Sequence, residues 1–191
     1  ITSLGYSKKI IYRNKALVND DIYVTGNLGD SFIGLRTLKN KIKISKELKN
    51  YFTQKYYLPD IQIKLTKKLL NFANSSIDLS DGLIDDLSKM INNQNLSFSL
   101  NENKIPISNN LLKIIKMKNM KKIKLVSNGD DYQILFTANK DKSRIIAQTS
   151  KNLGIKISKI GKICSNKKRS VIIDEKGKEI VLKNKGYVHQ F

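Results

Sequence analysis

Three short segments of this chain place glycine and carboxylate side chains where an apolar run gives way to a turn or a helix. They are residues 23–31 (YVTGNLGDS), 73–83 (ANSSIDLSDGL) and 128–137 (NGDDYQILFT). At such junctions unpaired backbone amides, which attract anions, lie beside carboxylate oxygens, which bind hard cations. The three segments therefore predict strands that run into turns and helices, and a site suited to a metal ion that carries phosphate groups.

Composition excludes several classes of site. The chain has 191 residues, of which 40% are hydrophobic, enough for one domain with a sizeable core or for one domain and part of another. Cys164 is the only cysteine and His189 the only histidine, so neither an intrachain disulfide nor a His/Cys zinc site can form. No apolar stretch approaches the length of a membrane span, and a lone thiol is compatible with the cytosol. We therefore expect a cytoplasmic protein with no membrane partner.

The net charge of +20 suggests a nucleic-acid partner at first sight. However, nearly all of the positive charge comes from lysines that are spread along the whole chain. The four arginines are Arg13, Arg36, Arg144 and Arg169. Proteins that read nucleic acids use clustered arginines for bidentate contacts and aromatic side chains for stacking, and neither is clustered here. We expect no specific nucleic-acid partner, but a non-enzymatic basic nucleic-acid-binding module remains an alternative.

Hydrophobic periodicity predicts an α+β or α/β domain built from a sheet and several helices. The predicted strands cover residues 6–13, 22–25, 75–79, 95–100, 132–136, 155–163 and 171–182, the last folded at a turn over 174–177. One helix is predicted to begin at Asp30, with Phe32, Leu35 and Leu38 on its apolar face. Further helices are predicted over 45–57, 61–72, 81–91, 109–119 and 141–153.

The most acidic of these junctions contains Asp78 and Asp81, which flank Leu79 and Ser80 where a strand meets a helix. Two carboxylates beside a helix N-terminus would repel phosphate unless a divalent cation lay between them, and Mg²⁺ binds one or two carboxylates while keeping sites for phosphate oxygens. The alternative is structural, with Asp81 or Ser80 as the N-cap of the helix. Spacing alone favours the cap, because capping is so common.

The other two junctions are less specific. Residues 25–30 resemble a phosphate-binding loop but lack the ending of a P-loop and the spacing of a dinucleotide fingerprint, so tight turning is the simpler role of their glycines. Asp130 and Asp131 stand together at the entry to a buried strand, where they could hold a cationic or hydroxyl-bearing ligand or form a capped turn. Near the C-terminus, residues 185–189 offer Tyr187 and His189, or a tail lying on the surface.

Together these segments resemble the thiamine-monophosphate kinases, within the superfamily that includes aminoimidazole ribonucleotide synthetase and selenophosphate synthetase. The resemblance runs from about Arg13 to the end of the chain. It rests on residues 20–34, 74–83, 105–108, 129–137 and 185–187, which follow the order and spacing of the family. The pair 74–83 and 129–137 is the specific part, and it reverses the preference for a mere cap at Asp81.

The resemblance implies a fold, an activity and a set of site residues. The family joins an N-terminal α/β domain to a C-terminal α+β domain, and it transfers the γ-phosphoryl group of ATP to thiamine monophosphate without a phospho-enzyme, giving thiamine diphosphate. By resemblance, Mg²⁺ is bound by Asp78 and Asp81, ATP is contacted by Arg13 and Ser80, and thiamine monophosphate is contacted by Asp130 and Tyr187. No further catalytic side chain is implied, because phosphoryl transfer depends on positioning and charge neutralisation.

The chain departs from the family pattern in three places. The family has Gly-Gly-Glu-Asp-Tyr where this chain has residues 128–132, so Asp130 is one methylene shorter than the glutamate it replaces. Residues 58–62 lack both arginines and one proline of the family's Arg-Pro-x-Pro-Arg segment. The family's N-terminal domain, which supplies several magnesium-binding aspartates and the main dimer contact, is not expected within these 191 residues.

These departures lead to an expectation for the domain organisation. Residues 1–15 are expected to be the end of an N-terminal domain or an interdomain strand, and residues 16–191 a C-terminal domain of the aminoimidazole ribonucleotide synthetase type. We expect the chain to be inactive alone and the full-length enzyme to be a homodimer. The alternatives are a sister ATP-dependent enzyme of the same superfamily, or the basic nucleic-acid-binding module.

Overall fold

A single six-stranded sheet organises the computed structural model, which describes residues 5–7, 9–167 and 169–181. The strand order is β2-β4-β1-β5-β3-β6, and all neighbours are antiparallel except β3 and β6. The strands are β1 (Asp21–Thr25), β2 (Ser75–Asp78), β3 (Leu96–Asn101), β4 (Ile134–Ala138), β5 (Ile157–Ser165) and β6 (Val171–Ile173).

Seven α-helices lie between the strands in the described part of the chain. They are α1 (Asp30–Leu38), α2 (Lys46–Tyr57), α3 (Ile63–Leu69), α4 (Leu83–Ile91), α5 (Asn109–Lys118), α6 (Lys122–Val126) and α7 (Ser143–Leu153). Ser45 and Ser108 cap α2 and α5 by accepting hydrogen bonds from the amides of Leu48 and Leu111. Within the described ranges, no helix has the length and apolar character that crossing a membrane requires.

The sheet carries hydrophobic core on both faces, because successive side chains of a strand point to opposite sides. Ile22, Val24 and Leu135 belong to the cluster that includes the buried stripe of α4. Tyr23 and Phe136, one residue away in each strand, belong to the cluster on the other face with side chains of α3 and α7. Two covered faces explain why every residue of β1 and nearly every residue of β4 is buried.

A third cluster forms between helices, and it corrects the face predicted for α1. The fully buried residue of that helix is Ile33, which packs with Phe52, Leu111 and Leu125 from α2, α5 and α6. Gly34 lies beside it, and a Cβ at this position would come 2.2 Å from the carbonyl oxygen of Phe52, so α1 and α2 meet backbone against backbone. Phe32, Leu35 and Leu38 were predicted to face the core, but they are only partly buried.

The α+β class predicted from the sequence is confirmed, whereas the first predicted strand is wrong. Residues 5–7 and 9–13 adopt no strand in the structure, and Tyr6, Ile10 and Tyr12 are exposed. Weak alternation is not enough for a strand, because a strand also needs a hydrogen-bonding neighbour, and β1 has both of its edges paired with β4 and β5. The domain boundary after residue 15 stays a prediction.

One end of the sheet collects the three acidic segments. The register pairs Val24 of β1 and Ile77 of β2 with the same residue, Leu135 of β4, and pairs Asp78 with Ile134. Because β1 and β2 both run antiparallel to β4, the C-terminal ends of β1 and β2 lie beside the N-terminal end of β4. The turns that follow β1 and β2 and the turn that precedes β4 therefore meet at this edge.

We predict that Phe136→Ala lowers the free energy of unfolding by about 3–5 kcal/mol, since deleting a fully buried aromatic ring leaves a cavity. Phe136 stacks on Tyr23, with ring centroids 5.2 Å apart, and contacts Phe72 at 5.6 Å. Urea denaturation followed by circular dichroism measures the change. The control is Ile145→Ala on the exposed side of α7, which should change stability by less than about 0.5 kcal/mol. Equal effects of the two substitutions would contradict this description of the core.

Candidate functional site

The two acidic turns dock on each other through their backbones. The amide of Asp130 donates to the carbonyl oxygen of Ser80 at 3.0 Å, and the amide of Tyr132 donates to that of Leu79 at 2.9 Å. The amide of Leu79 in turn donates to the carbonyl oxygen of Gln133 at 2.9 Å. These bonds continue the pairing of β2 with β4 beyond the sheet, so the main chain fixes both turns.

Two glycines make this approach possible. A Cβ on Gly129 would lie 1.8 Å from the carbonyl oxygen of Ser80, and one on Gly82 would lie 2.4 Å from that of Ser127. Gly82 also has a φ of 114°, a conformation that L-residues with side chains rarely adopt. The glycines thus let the two turns touch each other.

Asp131 connects the first segment, residues 23–31, to this edge of the sheet. Its side chain is completely buried and accepts a hydrogen bond from the amide of Gly29 at 2.7 Å, at the N-terminus of α1. Burial raises the pKa of Asp131 to about 8, although the hydrogen bonds from Gly29 and Ser31 act in the opposite direction. Asp131 therefore holds the turn before α1 in place, and it also lines a small cavity together with Asp30.

Asp30 has a similar structural role. It is buried, and its carboxylate accepts hydrogen bonds from the hydroxyls of Tyr51 at 2.8 Å and Ser108 at 2.7 Å. Burial raises the pKa of Asp30, and the two hydroxyls partly offset that rise. Because both oxygens are used within the protein, Asp30 joins α1 to the residues that begin α5 and to α2.

The capping interpretation of the Asp81 junction is wrong, because another residue satisfies the amides there. Asp86, buried in the first turn of α4, accepts hydrogen bonds from the amides of Asp81 at 2.9 Å and Gly82 at 3.1 Å. The helix begins after Gly82, and the described structure has no side-chain N-cap bond there. The carboxylate of Asp81 is left for other contacts.

In this structure the carboxylate of Asp81 contacts a cation from α4, the helix that follows it. The ammonium of Lys89 binds the carboxylates of Asp81, Asp85 at 2.7 Å and Asp86 at 3.2 Å. Burial works against the charge of Lys89, but the three carboxylates outweigh it and raise its pKa. Asp81, Asp85 and Asp86 are also close enough together to hold a metal ion. Since Asp86 is engaged with backbone amides, Asp81 and Asp85 are the more available ligands of this group.

Asp78 lies apart from that group. It is exposed at the end of β2, where it lines a mostly apolar groove with Pro59, Tyr132 and Ile134. Burial raises the pKa of Tyr132, and the negative charges of Asp130, Asp78 and Asp81 raise it further, so these carboxylates surround the phenol. The structure thus brings Asp78 and Asp81 to the same edge, on either side of Tyr132.

A cleft of about 650 Å³ opens beside the docked turns. Asp130, Tyr132 and Arg36 are among its wall residues; the full lining is Phe32, Leu35, Arg36, Lys39, Lys41, Tyr56, Ser80, Asp81, Asn128, Gly129, Asp130 and Tyr132. Asp130 and Tyr132 both have positive φ angles, 71° and 49°, so the backbone is strained where it enters the cleft. Burial raises the pKa of Asp130, as does the charge of Asp81, while Lys39 acts in the opposite direction.

The site residues predicted from the sequence fall into two groups. Ser80, Asp81 and Asp130 line the cleft together, and Asp78 lies at the same edge of the sheet. Arg13 is exposed in a turn before β1 and is not among the residues that line the cleft or the neighbouring groove. Tyr187 and His189 lie outside the described residues. The individual roles given to these residues stay predictions.

Sequence reasoning missed the side of the cleft formed by α1. Phe32 and Leu35, predicted to pack in the core, line the cleft together with Arg36 and Lys39. The sequence of residues 32–36 does contain a sign of this arrangement. Ile33 and Gly34 form a second apolar face of the helix, and that face suits close packing against another helix. Periodicity could not decide between two apolar faces of one helix.

The chain is similar to known thiamine-monophosphate kinases along nearly all of its length. The enzyme of Buchnera aphidicola subsp. Acyrthosiphon pisum is 36% identical over 99% of this chain. A thiamine monophosphate kinase structure from Aquifex aeolicus has a TM-score of 0.71 at 26% identity, over 89% of this chain and 54% of that one. The structure of AaThiL complexed with AMPPCP and TMP has a TM-score of 0.76 at 26% identity, over 94% of this chain and 54% of that one.

These similarities confirm the resemblance to thiamine-monophosphate kinases and the fold that it implied. The chain spans 59% of the length of the Buchnera relative. No family model matches the chain. The activity and the substrates of the whole relatives are therefore proposals for this chain.

We predict that Gly129→Ala lowers the free energy of unfolding by about 2 kcal/mol, because the added methyl group must push the two docked turns apart. Gly129 does not need a positive φ, so the substitution tests the contact with Ser80 and not the backbone conformation. Gly5→Ala is the matched control, since nothing lies within 4 Å of a Cβ at Gly5 and its φ is also unrestricted. Unchanged stability of Gly129→Ala in chemical denaturation would show that the turns do not dock.

We predict that the unfolding free energy of Asp131→Asn rises steadily, relative to that of the original chain, as pH rises from about 4 to 8. In the folded chain the pKa of Asp131 is raised from its ordinary value of 3.8 to about 8. Its contribution to stability is therefore complete below pH 3.8 and is lost as pH rises through the folded pKa. Asparagine has no such proton to lose. Denaturation curves at several pH values measure the difference in unfolding free energy. A difference that moves the other way would mean that the helix terminus keeps Asp131 ionised.

Proposed function

We propose that this chain is the C-terminal part of a kinase that transfers the γ-phosphoryl group of ATP to thiamine monophosphate, giving thiamine diphosphate. The observation that carries the proposal is the docking of the turns containing Ser80, Asp81 and Asp130 along one cleft. These are the turns whose sequences carry the resemblance. The similarity to thiamine-monophosphate kinases over 99% of the chain supports the same substrates.

Asp78 and Asp81 are proposed to hold Mg²⁺. Their carboxylates are hard oxygen donors, they lie at the same edge of the sheet, and Asp81 is not needed as a helix cap because Asp86 binds the amides there. When bound, magnesium supplies charge neutralisation for the phosphate oxygens. The side chain of Lys89 now binds Asp81, so it would have to release that carboxylate to a metal ion.

The remaining site residues are proposed to position the two substrates. Ser80, on the docked turn, is proposed to contact ATP, and Arg13 to contact its phosphates. Asp130 and Tyr187 are proposed to contact thiamine monophosphate. No nucleophilic side chain is required, because the acceptor's own phosphate oxygen attacks the γ-phosphorus of ATP and ADP leaves.

The organisation of the whole enzyme follows the same proposal. Residues 1–15 would form the end of an N-terminal domain or an interdomain strand, and residues 16–191 the C-terminal domain. The full-length enzyme would be a cytoplasmic homodimer. Because the other metal ligands of the family lie in the N-terminal domain, the 191 residues alone should show little or no turnover.

The test is phosphoryl transfer from γ-labelled ATP to thiamine monophosphate by the full-length protein. We expect Asp78→Asn and Asp81→Asn each to reduce kcat by roughly 100-fold or more, because charge stabilisation at the transferring phosphate is lost. Asp141→Asn is the control. Asp141 is exposed, follows the C-terminal end of β4 away from the site, and lines no part of the cleft, so its variant should keep most of the activity.

Four outcomes would contradict the proposal. Near-normal activity of Asp78→Asn or Asp81→Asn would remove that residue from the metal site, and equal losses in Asp81→Asn and Asp141→Asn would show that the effect is not specific to the site. Full turnover by the 191-residue chain would refute the proposal that this chain supplies only part of the active site. Absence of transfer, together with tight, magnesium-independent RNA binding that weakens steeply with salt, would favour the nucleic-acid-binding alternative.

A further inference from the structure

The cleft beside the docked turns has a basic side that the proposed function does not use. Arg36, in the last turn of α1, and Lys39 and Lys41, just after it, line the wall formed by that helix. Asp81 and Asp130 line the other wall. Lys39 is close enough to Asp130 to oppose the rise in its pKa, so the two walls are near each other.

Positive charge dominates this cleft. Of its two carboxylates, Asp81 is already paired with Lys89, whereas in the described structure none of the three cations lies within 4 Å of a carboxylate oxygen. An unpaired group of three cations in a concave site attracts anions, and low-dielectric walls strengthen that attraction. The excess charge therefore favours an anionic ligand group on the α1 side.

Arg36 is held in position while its donors stay largely unused. Its guanidinium lies over the ring of Phe32, 5.7 Å from the centroid, and its only hydrogen bond in the described structure runs from Nη2 to the carbonyl oxygen of Lys41 at a long 3.5 Å. Nε is buried without a partner among the described residues. A guanidinium has five donors in a fixed fork that matches phosphate, so this side chain is oriented for such a group.

The choice of arginine at this position is itself informative. The chain has 36 basic residues, and only four are arginines. Arg169 pairs with Glu179 on the surface, whereas Arg36 lines the cleft. A lysine at position 36 would serve a purely solvated helix end equally well, because a point charge there satisfies the helix dipole. The planar fork and the stacking on Phe32 are what lysine cannot supply.

We propose that Arg36, with Lys39 and Lys41, binds a phosphate group of the ligand that occupies this cleft. Assigning that group to thiamine monophosphate or to the nucleotide rests on the proposed function, whereas the phosphate site itself does not. Thiamine monophosphate carries a cationic ring and a phosphate, and the cleft offers carboxylates on one wall and cations on the other. A phosphate held by Arg36 would have part of its charge neutralised before it approached a second phosphate.

The test uses the 191-residue chain, Arg36→Met and Arg144→Met, with binding followed by calorimetry. Methionine keeps the contact with Phe32 but removes the charge and the donors, and Arg144 is an exposed arginine on α7 that serves as the matched control. The ligands are inorganic phosphate, thiamine monophosphate, thiamine and AMPPCP. We expect Arg36→Met to weaken inorganic phosphate and one phosphorylated ligand by roughly tenfold or more, the effect of losing charge-assisted hydrogen bonds. Thiamine binding and the Arg144→Met variant should be nearly unaffected.

The ligand series separates the possible outcomes. Selective weakening of thiamine monophosphate assigns the site to the acceptor, and selective weakening of AMPPCP assigns it to the nucleotide. If inorganic phosphate binds through Arg36 but the 191-residue chain binds neither substrate, the phosphate site stands, and the transfer assay of the full-length protein decides the proposed function. If Arg36→Met leaves phosphate and both phosphorylated ligands unaffected, or weakens thiamine as much as thiamine monophosphate, the phosphate site is refuted while the proposed function is untouched.

Discussion

The contact between the backbone of Gly129 and the carbonyl oxygen of Ser80 is the constraint on which the rest of the site depends. A hydrogen bond of 3.0 Å from the amide of Asp130 to that oxygen fixes the distance between two turns that are about fifty residues apart in the chain. Any side chain at position 129 would keep them apart. Since Asp81 and Asp130 project from these turns, main-chain geometry determines which carboxylates reach the cleft.

Burial then separates two groups of acidic residues in and beside the three segments. Asp30, Asp86 and Asp131 are buried, and each accepts hydrogen bonds from groups of the protein, so these three shape the loops. Asp81 and Asp130 are only partly buried and line the cleft. A buried carboxylate is stable only with its hydrogen bonds made, so the structural acids support the acids that remain available to a ligand.

Local sequence signals predicted much of this arrangement. Turn residues and apolar periodicity predicted the three segments and most helices and strands, because those features depend on nearby residues. They could not decide between Asp81 and Asp86 as the group that binds the amides before α4, since both are acidic and lie in or near the first turn. They also assigned Phe32 and Leu35 to the core, because which face of α1 meets α2 depends on Gly34 touching the backbone at Phe52. The role of Asp86 and the face of α1 that meets α2 both depend on long-range packing.

The central claim is that the turn at Asp81 is kept for a cation that carries phosphate. Paramagnetic broadening of backbone amides by Mn²⁺, in a ¹⁵N-labelled chain with AMPPCP present, tests it most directly. The account predicts that the amides of Ser80, Asp81 and Asp130 broaden first, while those beside the exposed acids Asp141 and Glu175 persist. Broadening centred on those exposed acids, with the turn at Asp81 unaffected, would contradict it.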